Sequence, residues 1–345
     1  MTAGTEPLVS VVTPVFNGET YLRECIESVL AQTYLNWDYT IVNNCSRDRT
    51  REIAEEYAAR DPRIRVHNNS HFVGQIANYN IAVRRISPGS KYCKVVAADD
   101  WLFPECLSRM VEVGEENPAV AIVGAYVLSE TTVRPEGLPY PSVCVPGRDL
   151  CRQRLLGGPF RFGTPTAVLY RSDVARSADA FFNEFNLHSD MEVFFQVLRD
   201  HDFGFVHQVL SFNRIREGSE TSNSERLNTE LPGMLYHLLT YGPVYLSRQE
   251  AAERVALHLK RYYSFLAESV FRRRDREFWA FHKEKLRELG CPLSYSRVGG
   301  VMALRLFDLL LNPKRAVEAL WRHGAGYLRK KGVETATGMH GGSPR

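Results

Sequence analysis

The sequence lacks most of the short signatures that settle a function at a glance. Its seven cysteines (25, 45, 93, 106, 144, 151 and 291) are odd in number and never spaced C-x-x-C. That scatter disfavours both a disulfide framework and a cysteine zinc site, and it fits a reducing compartment. The ten histidines show no metal-ligand clustering either. No basic-then-apolar segment opens the chain, and no uninterrupted apolar run approaches the length of about 18 residues expected of a membrane span. The expectation is a cytoplasmic protein, at most peripheral at the inner face of a membrane. A formal charge of +3 over 345 residues gives no argument for nucleic acid. G-x-G-x-x-G and G-x-x-x-x-G-K-[ST] are both missing, so neither a dinucleotide fingerprint nor a P-loop is available.

What is present is an ordinary globular composition, 44% hydrophobic and 24% charged. The first 127 residues alternate between short apolar strands and amphipathic helices. Strands are expected at Leu8–Val12, Tyr39–Val42, Ile64–His67, Tyr92–Ala97 and Val120–Val127. Helices are expected at Glu19–Gln32, Asp48–Ala59 (with Ser46 as N-cap), Gln75–Arg85 and Pro104–Glu116. This alternation predicts right-handed crossovers and an α/β fold with a mainly parallel central sheet.

The regularity breaks at Ser129–Gly147, read as a mobile loop, before a basic helix at about Arg148–Leu156. A strand at Thr166–Tyr170 and a helix at Asp190–Asp200 follow. Phe203–His207 and Val209–Ile215 read as two strands with no room for a helix between them, hence as an antiparallel addition. From about Thr229 the pattern is helical: 229–241, 247–271, 275–289, 298–311 and 313–331. The division expected is therefore 1–228 (halves at about 8–128 and 129–228), a helical extension at 229–332, and a disordered tail at 333–345. Val301–Leu311 with the basic residues after it suits packing on the domain, and equally a membrane surface.

The most informative stretch is Tyr92-Cys-Lys-Val-Val-Ala-Ala-Asp-Asp-Trp-Leu-Phe-Pro104, an apolar strand ending in two adjacent carboxylates. Open α/β sheets bind ligands at the carboxyl ends of their strands. A plainer reading has Asp99 capping a turn and Asp100 solvated.

Three segments in order, VSVVTPVFNGETYLRECIESVLAQTYLNWDYTIVNNCSRDRT, NNSHFVGQIANYNIAV and YCKVVAADDWLFPECL, resemble the family 2 glycosyltransferases. The resemblance is dense over about 8–128 and sparser to Ser222. It implies a GT-A-type fold and inverting sugar transfer from a nucleotide-diphosphate sugar, with a UDP-sugar favoured, to a glycan or lipid-linked acceptor in surface polysaccharide synthesis. By that resemblance Pro14 and Phe16 belong to the turn that packs against the base, where a stacked ring is worth about 1–3 kcal/mol. Asn44 stands where the family reads the base edge, with Asn43 beside it in place of an aspartate. Gln75 and Asn80 line or support the nucleotide cleft, and Gly74 serves its turn.

Asp99 matches the last carboxylate of the family's D-x-D, implying Mg²⁺ or Mn²⁺, although Ala97 replaces the first. Asp100 would assist through water or donor hydroxyls. Asp190 matches the general base of the E-D motif, with Ser189 in place of glutamate; the bland alternative is that Asp190 simply begins a helix. Arg214 and Arg216 match the R-x-H segment that would hold the diphosphate as the 214–222 loop closes; alternatively both are solvated strand-end residues. The losses at Ala97, Asn43 and Ser189 also admit a non-catalytic relative that binds nucleotide sugar or glycan as a scaffold. A nucleotidyltransferase is the weaker third reading, since its glycine- and lysine-rich phosphate loop is missing.

Overall fold

The computed structural model describes residues 6–134, 136–159, 162–215 and 220–311. Residues 216–219, Arg216 among them, the basic segment 313–331 and the tail 333–345 lie outside the described residues, and residues 220–222 of the expected 214–222 loop are helical. In chain order the elements are β1 (Val9–Val15), α1 (Leu22–Leu30), β2 (Trp37–Asn43), α2 (Thr50–Ala58), β3 (Ile64–Asn68), α3 (Gln75–Val83), β4 (Tyr92–Val95), β5 (Trp101–Leu102), α4 (Cys106–Glu116) and β6 (Val120–Ser129). Next come β7 (Thr132–Arg134), β8 (Cys144–Val145), α5 (Gly147–Leu155), a 3-10 turn (Pro165–Ala167), β9 (Val168–Arg171), α6 (Ser172–Arg176), α7 (Ser189–Val197) and β10 (Asp202–Asn213). The rest is helical: α8 (Glu220–Leu227), α9 (Glu230–Tyr245), α10 (Arg248–Phe271), α11 (Arg276–Glu288) and α12 (Tyr295–Leu311).

Among the described residues the strands form one sheet in the order β3-β2-β1-β4-β9-β6-β10-β5, with β7 on β6 and β8 on β10. β3, β2, β1 and β4 are parallel, as the alternation predicts. β1 and β2 are buried along nearly their whole length because helices cover both faces. On α1 the buried residues are Leu22, Cys25, Ile26 and Val29, the stripe a 3.6-residue period lays down. Past β4 the sheet is mixed: β9 runs antiparallel to both β4 and β6, while β10 runs parallel to β6.

Several expectations are corrected. The two strands expected at 203–207 and 209–215 are a single strand, β10, so no antiparallel pair forms between them. The polar His207-Gln208 that looks like a break is a bulge, with the register on β6 shifting between Val206 and Val209. There His207 Nε2 meets the Ser142 carbonyl at 2.8 Å. Ser46 does not cap α2, which begins only at Thr50; its hydroxyl accepts from the Asn17 N–H at 2.9 Å instead. Pro104 lies in the turn before α4, which starts at Cys106. The stretch 129–147 is not all loop, because it contains β7 and β8.

Compactness divides the chain into Met1–Val255 and Ala256–Arg345, inside α10. The cause is visible in α9, whose Leu238 and Tyr245 are buried in the main core beside Phe194 and Phe195. In the second unit Tyr262 OH and His282 Nδ1 meet at 2.6 Å in a buried setting, and Asp275 caps α11 by accepting from the Phe278 N–H. On α12, Leu304, Phe307 and Leu311 are exposed. Among the described residues no helix is long and apolar enough to cross a membrane.

Candidate active site

The site begins where β1 and β2 end. Pro14 is buried in β1, paired with Val42 on one side. The β4 pairing stops at Val12, so proline's missing N–H removes no rung of that ladder. Beyond it, Asn17 (φ 50°) and Cys45 (φ 56°) both take the left-handed conformation, a strained state that persists when neighbours hold it. They are held reciprocally. Asn17 N–H donates to Ser46 Oγ, and Arg47 N–H returns to Asn17 Oδ1 at 2.9 Å. Gly18 N–H reaches Thr50 Oγ1 at 2.7 Å, and Glu19 N–H reaches Asp48 Oδ2 at 3.0 Å.

This interlock presents Phe16, 45% exposed, edge-to-face with Phe72, 59% exposed, at 4.9 Å between ring centroids. Two large exposed rings in contact are unusual for a surface that does not bind something. Phe72 was missed from the sequence; its position just before the segment containing Gln75 was the available signal.

Asn44 is placed otherwise than the motif suggests. It is 2% exposed, and its Oδ1 accepts from Val73 N–H (3.0 Å) and Asn69 Nδ2 (3.1 Å). Its Nδ2 donates to the Val73 carbonyl at 2.8 Å. Asn44 thus anchors the segment that carries Phe72 through its oxygen and one of its two amide N–H donors. Asn43 is equally occupied, donating to Asn68 Oδ1 and accepting from Ser46 N–H. Asn80 is buried and its side-chain amide ties α3 to the Phe182 backbone, Nδ2 donating to the Phe182 carbonyl and Oδ1 accepting from the Phe182 N–H, so it supports the cleft from behind. Gln75, the first residue of α3, is exposed at the rim, and its side chain reaches Tyr79. Gly74 has φ −60° and open space around its Cβ position, so no turn there demands glycine.

The two carboxylates after β4 divide their labour. Asp100 is 2% exposed and accepts from Thr166 Oγ1 (2.6 Å), Asn213 Nδ2 (3.0 Å) and Arg214 N–H (3.0 Å). Burial pushes its carboxyl up to about 6, against these hydrogen bonds. Asp100 is therefore a strut joining the β4 end, the 3-10 turn and β10. Lys94, fully buried, tightens the same joint by donating to the Thr166 (2.7 Å) and Val168 (3.1 Å) carbonyls. Asp99 is half-buried beside it. Arg214 holds the Asp99 carbonyl through Nε (3.2 Å), pairs with Glu24 (2.7 Å), and lies over the Tyr21 ring at 4.4 Å. In this arrangement its guanidinium braces the Asp99 turn.

Asp190 sits in the first turn of α7, its Oδ1 accepting from the Met191 N–H at 2.8 Å. Burial raises its carboxyl above the ordinary aspartate range, opposed by His188 and that N–H. Asp100, Asp99 and Asp190 all act electrostatically on one phenol, that of Tyr79. Burial first, and then all three carboxylates, push Tyr79 up from its ordinary value. Two further residues were missed. Tyr79 is one, visible only as the residue before Asn80. Glu192 is the other: 3% exposed, it accepts from Tyr236 OH (2.7 Å), Tyr241 OH (2.9 Å), Asn183 Nδ2 (3.0 Å) and Asn186 Nδ2 (2.8 Å).

Among the described residues no group of three His, Cys, Asp or Glu side chains converges on a metal position. The donor set still fits a hard divalent cation. Asp99, half-buried at the turn after β4, offers hard carboxylate oxygen, the ligand type that would suit Mg²⁺ or Mn²⁺.

Residues 10–177 match the family model described as Glycosyl transferase family 2, which bears out the resemblance read from the motifs. Among curated proteins, the uncharacterized glycosyltransferase EpsJ of Bacillus subtilis is 36% identical over 129 residues, which are 37% of this chain and 36% of EpsJ. The chain spans 33% to 56% of the length of the first curated relatives it matches. The crystal structure of S. aureus TarS 1-349 in complex with UDP-GlcNAc superposes with a TM-score of 0.61 at 18% identity, over 92% of each chain. The mannosyltransferase PcManGT of Pyrobaculum calidifontis, in complex with GDP-Man and Mn²⁺, gives 0.52 at 12% identity over 88% of each. The fold is the GT-A fold of these glycosyltransferases.

Proposed function

We propose that the protein is an inverting glycosyltransferase, moving a sugar from a nucleoside-diphosphate sugar to a hydroxyl of a glycan or lipid-linked acceptor at the cytoplasmic face, in surface polysaccharide synthesis. The observations that carry this are Asp99 in the turn after β4 and Asp190 in the first turn of α7, whose charges both act on the Tyr79 phenol. Phe16 and Phe72 give the base an apolar wall. Asp99 would hold the Mg²⁺ or Mn²⁺, which when bound supplies positive charge to the diphosphate. Asp190 takes the proton of the acceptor hydroxyl as that oxygen attacks the anomeric carbon from the face opposite the diphosphate. The bond from that carbon to the phosphate oxygen breaks, and the nucleoside diphosphate leaves with the electron pair. A carboxyl raised by burial is a stronger base than an exposed aspartate.

Uridine is the favoured base, the one in the TarS complex; guanosine, as in the PcManGT complex, is the rival. Calorimetric titration of UDP, GDP and dTDP, each with and without Mn²⁺, separates them. The expected result is Mn²⁺-dependent binding of UDP that Asp99→Ala weakens by about 10–100-fold. Binding that ignores both the metal and the substitution would overturn the assignment of Asp99.

The exposed apolar residues of α12 are the basis for peripheral membrane contact as part of the same proposal. The full chain is expected to co-sediment with anionic vesicles. Equal sedimentation of a chain ending at residue 294 would remove α12 from that role.

A further inference from the structure

Behind the segment that carries Phe72, between the end of β3 and α3, lies a cavity of about 490 Å³. Its polar wall is formed by His67, Asn69, Ser70, His71, Arg84 and Arg85, and no carboxylate lines it. This differs from five neighbouring arginines of the same half of the sheet. Arg23, Arg51, Arg60, Arg63 and Arg65 each have a carboxylate within 4.0 Å. Arg84 and Arg85 meet neutral acceptors instead. Arg84 Nη1 donates to the Asp179 carbonyl at 2.8 Å, and Arg85 Nη2 donates to His67 Nε2 at 3.1 Å.

That second contact fixes a tautomer. With Nε2 accepting, the neutral His67 ring carries its proton on Nδ1, where it is a further donor. Burial and the Arg85 charge both hold His67 below its ordinary value, and no carboxylate opposes them. Two guanidinium charges thus stand on the wall of a concave site with no internal counterion. Such a site concentrates field lines and attracts anions, and the planar fork of arginine suits phosphate oxygens. Val73 and Ile81 add an apolar wall for an uncharged remainder, and the volume falls within the range of about 300–1,000 Å³ typical of small-molecule sites.

We propose that this cavity binds a phosphate-bearing small molecule, at a site separate from the one formed by Phe16, Asp99 and Asp190. Arg84 and Arg85 would take the phosphate oxygens, with His67 and His71 at the rim.

Inorganic pyrophosphate, titrated into the full chain in metal-free buffer, tests this through the ring C–H resonances of His67 and His71. Both are expected to move and saturate, with a dissociation constant in the millimolar range or tighter. The Arg84→Gln/Arg85→Gln pair is expected to weaken binding at least about tenfold, since two charge-assisted hydrogen bonds are lost. Because Arg84 also holds a backbone carbonyl, Arg85→Gln alone serves as the gentler variant, judged against unchanged resonances of the other histidines. Asp99→Ala is expected to leave this titration as it is in the wild type. No saturable movement, movement retained in both arginine variants, or movement lost in Asp99→Ala would each overturn the proposal.

Discussion

Replacing Asp190 by asparagine is expected to lower kcat for sugar transfer by about 10²–10⁴-fold while nucleoside-diphosphate binding is retained. Asparagine preserves the size of the side chain and can still accept the Met191 N–H, so α7 keeps its first turn. It cannot take the acceptor proton. The pH profile gives a second readout. A base works only when deprotonated, so the wild-type rate falls as pH drops through the Asp190 pKa. Burial places that limb above the ordinary aspartate range, and the residual rate of the variant should lack it. Initial rates of nucleotide release, with acceptor present, measure both. A variant as active as the wild type would remove Asp190 from the chemistry. A wild type that binds nucleotide sugar but transfers nothing would point to the scaffold reading.

Glu192→Ala should produce the largest loss of stability, roughly 3–5 kcal/mol in urea unfolding. The substitution strands four half-buried donors at once: two tyrosine hydroxyls and two asparagine amides. It also unties the 183–189 loop, which delivers the chain to Asp190, from α9. Glu192→Gln separates charge from geometry. Facing its amide towards Tyr236 and Tyr241, glutamine can donate to hydroxyls that now accept, while its oxygen keeps Asn183 and Asn186. The glutamine variant should therefore lose only about 1–2 kcal/mol and retain the wild-type position of the acid limb in transfer. Equal losses in the two variants would show that the carboxylate charge, and not its four-way geometry, matters.

Whatever depended on local pattern was legible in the sequence. The buried stripe of α1, the parallel strands β1 to β4 and the acidic end of β4 all follow from apolar spacing within a dozen residues. Hydrogen-bond partners were not legible, because they are chosen by the tertiary fold. Asp100 and Asp99 look alike in sequence, yet one is a buried strut because Thr166 and Asn213, 66 and 113 residues away, arrive beside it. Glu192 reads as one more charge on a helix until Tyr236 and Tyr241 reach it from 44 and 49 residues downstream. Asn44 occupied the motif position of a base reader, but Val73 takes up its amide from both sides. The bulge in β10 imitated a chain reversal because polar residues interrupt an apolar run in either case.

The reciprocal bonds between the turns after β1 and β2 have a consequence for anyone transplanting nucleotide preference between relatives. Asn17 is held by Ser46 and Arg47, and Gly18 and Glu19 by Thr50 and Asp48. Neither turn is a free-standing module. A graft that imports one sequence leaves the other reaching for hydroxyls and carboxylates that have gone, and a left-handed residue without its props. Residues 13–19 and 43–50 form one cassette, and they exchange as a pair or not at all.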